Sequence, residues 1–84
     1  MSDVRREVEA AVAAALAEAL PELGPLDPDA ALTGDLGLDS VQIMNLVMEI
    51  EDNLDLSVPV DILAEVRTLN QLTAQLVHLK EKQA

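Results

Sequence analysis

The chain has no cysteine, which excludes disulfide staples, thiolate nucleophiles and cysteine–zinc sites. It also has no Phe, Tyr or Trp. Its core must therefore be aliphatic, and it offers no aromatic platform on which nucleic-acid bases could stack. Histidine is reduced to His78, which leaves little general-base chemistry, since a nucleophilic serine needs a base beside it. Positive charge is scarce. Five Lys and Arg face sixteen Asp and Glu, for a net charge of −11. The stretch from Glu7 to Val66 holds fourteen acids and no Lys or Arg; the bases are Arg5, Arg6, Arg67, Lys80 and Lys82. Such a surface repels phosphate backbones and anionic bilayers, which speaks against nucleic acid and membrane as partners. It attracts proteins with basic patches, or it simply keeps a small chain soluble; charge alone leaves both readings open. No apolar run approaches the length of a membrane span. The opening Met1-Ser2-Asp3 is acidic and the following stretch is broken by Glu7, Glu9 and Glu18, unlike a signal peptide. A cytoplasmic chain is expected.

What is present is helical. Half of the 84 residues are apolar, enough for one small domain across residues 1–84. Val4, Val8, Val12, Leu16 and Leu20 recur every four residues among many alanines, predicting a helix from about Asp3 to Ala19 or Leu20. Ser2 or Asp3 can cap its start, and Pro21 and Gly24 end it. Residues 21 to 39 hold Pro21, Gly24, Pro25, Pro28, Gly34 and Gly37, which rule out a continuous helix. Leu23, Leu26, Leu32, Leu36 and Leu38 in the same stretch predict a long ordered loop packed on the core, with a short helical turn in it. Loops of this kind tend to carry function.

A second helix is expected from Asp39 or Ser40 to about Leu54. Val41, Met44, Val47 or Met48, and Leu54 are read as its inward face, broadened by Ile43, Leu46 and Ile50. Glu49, Glu51, Asp52 and Asp55 crowd its C-terminal end, the wrong sign for the helix dipole, which hints at a recognition surface. Val58-Pro59-Val60-Asp61 opens a short third helix to about Val66, with proline suited to the first turn. Thr68-Leu69-Asn70-Gln71 reads as a capping box for a last helix with stripe Leu69, Leu72, Leu76 and Leu79, and with Lys80 and Lys82 near its C-terminus. There is no strand alternation. The fold class is all-α: a small four-helix bundle, three main helices plus one short, with a long ordered loop between helices one and two.

Enzyme signatures are absent. There is no Gly-x-Ser-x-Gly run, His78 falls off the main stripe of its helix and reads as a surface residue, and Asp27-Pro28-Asp29 starts like a calcium loop without continuing as one. The most informative junction is Asp35-Leu36-Gly37-Leu38-Asp39-Ser40-Val41, where a glycine-bearing loop turns into an apolar helix. Ser40 there can be a helix N-cap. Equally, a phosphodiester on Ser40 would lie at the positive end of the helix, with Gly37 allowing a tight approach of the loop and Leu36 and Leu38 anchoring it.

The run from Gly34 to Val41, followed by Leu46-Val47-Met48-Glu49-Ile50-Glu51-Asp52, resembles the acyl carrier protein family. Val58-Pro59-Val60-Asp61 and Thr68 through Leu79 are similar to its third and fourth helices. The resemblance implies that Ser40 carries covalent 4'-phosphopantetheine, with Asp39 and Gly37 forming its surroundings, and that the chain is a carrier and not a catalyst. It implies docking by Val41, Met44, Glu49, Glu51 and Asp52 to partners with basic patches: a phosphopantetheinyl transferase, and an acyltransferase, ketosynthase or acyl/aminoacyl ligase. It also implies that cargo can shelter between the second and third helices, and a monomer is expected. Leucine commonly follows the serine in this family, fatty-acid carriers usually have acids early in the second helix, and an aromatic is often found near its end. Here those places hold Val41, Gln42, Asn45 and Leu54, which directs the expectation toward a discrete carrier of a polyketide or related specialised pathway. An aminoacyl or peptidyl carrier is the nearest alternative, although Leu38 interrupts the Gly-Gly pair typical of that group; an unmodified acidic interaction bundle is the other.

Overall fold

A computed structural model describes residues 3–24 and 27–83. Four α-helices follow in order: α1 Asp3–Ala19, α2 Ser40–Leu54, α3 Val60–Glu65 and α4 Leu69–Gln83, with one 3₁₀ turn at Pro21–Leu23. Among the described residues there is no strand, only a lone antiparallel bridge between Ala31 and Thr68. No described helix is long and apolar enough to cross a membrane. Ser2, Pro25 and Leu26, named above for cap and loop, lie outside the described residues.

Helix α1 forms where alanine propensity and the four-residue valine spacing agree. Its buried stripe is Val8, Ala11, Val12 and Ala15, and Val4 and Leu16 flank it half-buried. The small Ala11 and Ala15 in that stripe let α1 lie close to its neighbours; it packs chiefly on α2 and then on α4. The amide of Leu20 still donates to the Leu16 carbonyl at 2.8 Å before Pro21 turns the chain.

Helix α2 corrects the expected inward face. Its buried side chains are Leu46, Val47, Ile50 and Leu54, with Ile43 half-buried. Val41, Met44 and Met48 are 65%, 58% and 57% exposed. At 3.6 residues per turn, residues 43, 46, 47, 50 and 54 share one side of the helix and residues 41, 44 and 48 the other. Both sides are apolar, so periodicity did not choose between them; the rest of the bundle, α1 above all, covers only the first.

The core is wholly aliphatic, with Val8, Ala15, Leu46, Ile50 and Leu76 fully buried. Each such Leu, Ile or Val stabilises by roughly 1.5–3 kcal/mol on removal from water. Helix α4 adds Leu69, Leu72 and Leu76 and the buried Thr73, whose hydroxyl donates to the Leu69 carbonyl at 2.9 Å; Leu79 is half-buried. The α4 capping box is formed: the Gln71 amide donates to Thr68 Oγ1 at 3.1 Å, and Gln71 Oε1 accepts from the Thr68 amide at 3.3 Å.

Helix α3 starts two residues later than expected, because Pro59 is its N-cap in extended backbone and Val66 its C-cap. None of its residues is buried, whereas Val58 before it is. Lys80 does more than complement its own helix end. Its Nζ donates to the Leu54 carbonyl at the end of α2 at 2.9 Å and lies 3.7 Å from Glu7 of α1. A radius of gyration of 11.8 Å agrees with about 12 Å for a packed chain of this length, so the long α1–α2 loop lies against the bundle.

Candidate functional site

The loop before α2 is tied down by its own backbone and by the start of α4. The Leu32 amide donates to the Arg67 carbonyl at 2.8 Å, the Leu38 amide to the Leu32 carbonyl at 3.0 Å, and the Asp35 and Leu36 amides to the Ala31 carbonyl, each at 3.0 Å. In return, Asp35 Oδ2 accepts from the Ala31 amide at 2.9 Å. Leu32 and Leu38 are buried beneath this loop, and Leu36 packs half-buried beside them. The Asn70 amide donates to the Pro28 carbonyl at 2.9 Å, fixing the other end of the loop to the first turn of α4.

Gly37 has φ +70°, and a Cβ there would meet nothing within 4 Å. The close approach read from the sequence is therefore not what requires glycine. The backbone is in the left-handed region, which side chains other than glycine occupy only at a cost.

The cap of α2 is also reassigned. Asp39, not Ser40, is the N-cap, in extended backbone at φ −93°, ψ 175°. Its Oδ1 accepts from the Gln42 amide at 2.8 Å, and Gln42 Oε1 accepts from the Asp39 amide at 3.1 Å, a complete capping box. The sequence held the signal for this: a Gln stands three residues after Asp39, whereas Ile43 stands three after Ser40. Ser40 is thus the first helical residue, exposed, and its hydroxyl has no hydrogen-bond partner among the described residues. The first-turn amides of Ser40 and Val41 have no acceptor within the helix, as at any helix start, and no loop carbonyl takes them up.

The other residues singled out from the sequence occupy three situations. Val41, Met44 and Asp52 are exposed, with Met48 beside them on the uncovered side of α2. Glu49 is half-buried. Glu51 is also half-buried and holds the next loop, its Oε2 accepting from the Val58 amide at 2.7 Å. His78 is exposed. Asp27 Oδ1 accepts from the Asp29 amide at 2.9 Å and Asp29 bonds to the Asn70 side-chain amide, so both carboxylates support the loop. No group of three or more His, Asp or Glu among the described residues is arranged to hold a metal ion.

A serine hydroxyl released from capping, at the positive end of a helix beside free amides, is chemically suited to carry a phosphodiester. Comparison with known proteins gives the family. The signature described as "Phosphopantetheine attachment site" matches residues 10–76. A probable acyl carrier protein of Caulobacter vibrioides (strain NA1000 / CB15N) is 42% identical over 48 residues, 57% of this chain and 56% of that protein. An acyl carrier protein of Cyanidioschyzon merolae (strain NIES-3377 / 10D) is 32% identical over 60 residues, 71% of this chain and 66% of that protein. The chain thus spans between about half and two thirds of the length of these relatives. No solved structure matches it. The chain belongs to the acyl carrier protein family of phosphopantetheine-attachment domains, whose cofactor is 4'-phosphopantetheine.

Proposed function

We propose that the chain is an acyl carrier that receives 4'-phosphopantetheine on Ser40 and presents acyl intermediates to partner enzymes without catalysis of its own. The observation that carries this reading is the exposed Ser40 hydroxyl at the first position of α2. Asp39 performs the capping, so the serine has no structural duty that its type would explain. Asp39 and Gly37 supply the local frame, one closing the helix start and the other permitting the turn into it. When bound, the arm supplies a terminal thiol for thioester linkage to cargo. The negative surface and the residues on the uncovered side of α2 support docking through Val41, Met44 and Met48, flanked by Glu49 and Asp52. Glu51 adds charge there while its oxygen holds Val58.

The partners are a phosphopantetheinyl transferase, which modifies Ser40, and an acyltransferase, ketosynthase or acyl/aminoacyl ligase bearing a basic patch. The neutral Gln42 and Asn45 at the start of α2 support a discrete carrier of a polyketide or related specialised pathway over a housekeeping fatty-acid role. A cytoplasmic monomer is the state in which such a carrier works. Intact mass before and after incubation with coenzyme A, magnesium and a broad-specificity transferase tests the assignment. One phosphopantetheine unit should be gained by the wild type and not by Ser40→Ala. A folded wild type that gains nothing, and carries no arm at the outset, refutes it.

A further inference from the structure

We propose that Gln42 is a positioning residue for the modification of Ser40: its side-chain carbonyl holds the Asp39 amide, so that the serine hydroxyl is presented from a closed helix turn. The inference rests on the reading of Ser40 as the attachment residue. In the transfer reaction the Ser40 oxygen forms a bond to the β-phosphorus of coenzyme A. The bond from that phosphorus to its bridging oxygen breaks, adenosine bisphosphate leaves with the electron pair, and the serine proton passes to a base on the transferase. The serine must therefore be offered in a fixed direction to a site on another protein.

The geometry places that control on the residues either side of Ser40. Asp39 Oδ1 receives the Gln42 amide at 2.8 Å and Gln42 Oε1 receives the Asp39 amide at 3.1 Å, while the Ile43 amide donates to the Asp39 carbonyl at 3.0 Å. Ser40 sits inside this closed ring of bonds yet contributes no side-chain bond to it. On the loop side the chain is anchored by buried Leu38, but Gly37 precedes that anchor with φ +70°. Without the Gln42 acceptor the Asp39 amide turns to water, and the first turn, which lacks i−4 partners in any case, frays. Gln42 does this without charge, so the first turn of α2 carries no acid of its own. An acid at the same place would offer the same acceptor and a charge as well, which makes the two roles separable.

The test measures steady-state arm transfer by intact mass, using coenzyme A, magnesium and one transferase, together with amide hydrogen exchange at Asp39. The variants are Gln42→Leu, which keeps bulk and removes the acceptor; Gln42→Asn, too short to reach back; and Gln42→Glu, which keeps the acceptor. In Gln42→Leu and Gln42→Asn, kcat should fall about fivefold, the factor set by loss of a typical cap. The KM should stay within about twofold, because the docking face is untouched. Exchange at Asp39 should quicken while α4 amides stay protected, and Gln42→Glu should restore both readouts. The proposal is overturned if Gln42→Leu keeps wild-type kcat and Asp39 exchange, or if Gln42→Glu is as slow as Gln42→Leu. It is also overturned if Gln42→Glu surpasses wild type through KM alone, which marks a docking charge. A wild type that takes up no arm removes the Ser40 reading itself, an outcome distinct from all of these.

Discussion

Replacing Lys80 with methionine should cost this bundle well above the usual surface substitution, which stays within about 0.5 kcal/mol. Lys80 Nζ donates to the Leu54 carbonyl at 2.9 Å and to Gln83 Oε1 at 3.1 Å, and its side chain is only 21% exposed. A hydrogen bond from a charged donor contributes about 1.5–3 kcal/mol, and partial exposure places this one in the lower half of that range. The Glu7 partner is 3.7 Å away and half-exposed, so that ion pair adds no more than about 0.5 kcal/mol. Methionine keeps the apolar stem and loses only the head group. The expected loss is about 2 kcal/mol, a large share of the roughly 4–13 kcal/mol available to a chain of this size. In thermal unfolding that corresponds to a fall in Tm of about 8–16 °C. Urea titration should show the same loss at unchanged m-value, and Glu7→Gln should cost under about 0.5 kcal/mol. Two results would refute the reasoning: a Lys80→Met loss below about 0.5 kcal/mol, or equal losses for Lys80→Met and Glu7→Gln.

Three further outcomes follow from the same geometry. Ser40→Ala should leave stability within about 0.5 kcal/mol of wild type, whereas Asp39→Ala should lose about 1 kcal/mol with the cap; denaturant titration of the pair distinguishes them, and equal losses would return the capping role to Ser40. Asp55 ends α2 in left-handed backbone at φ 55°, with its carboxylate at the negative end of the helix, so Asp55→Gly should raise stability by about 0.5–1 kcal/mol in the same titration. Glu49→Lys and Asp52→Lys should slow association with a basic partner enzyme, measured by stopped flow at low salt, and raising ionic strength should narrow the difference. An unchanged rate removes steering by this end of α2.

The bounds of α1, α2 and α4 were legible in the sequence because their signals are local: the valine repeat and Pro21, the Asp39-Ser40 junction, and the Thr68–Gln71 box. The place of Ser40 at the start of α2 was legible for the same reason. The face of α2 was not, since a helix with Leu46 and Ile50 on one side and Met44 and Met48 on the other carries no internal instruction about which side is covered. Adjacent Asp39 and Ser40 competed for one cap, and only the position of Gln42 decides between them. Contacts that join distant parts of the chain left no sequence trace. Lys80 reaches 26 residues back to Leu54, and the loop is fastened to α4 through the Ala31–Thr68 bridge. Both depend on a fold that is already assembled.

The absence of buried side chains from α3 means that the segment can come loose on its own. It is pinned at one end by Val58, buried and bonded to Glu51, and at the other by the Arg67 carbonyl on Leu32 and by buried Leu69. Between those pins Ile62, Leu63 and Val66 only rest on the core. Unwinding six residues held in this way exposes little apolar surface, so it requires far less free energy than parting α1 from α2. In local-stability terms the bundle is uneven: α3 is expected to open at a lower free energy than the aliphatic frame beneath it.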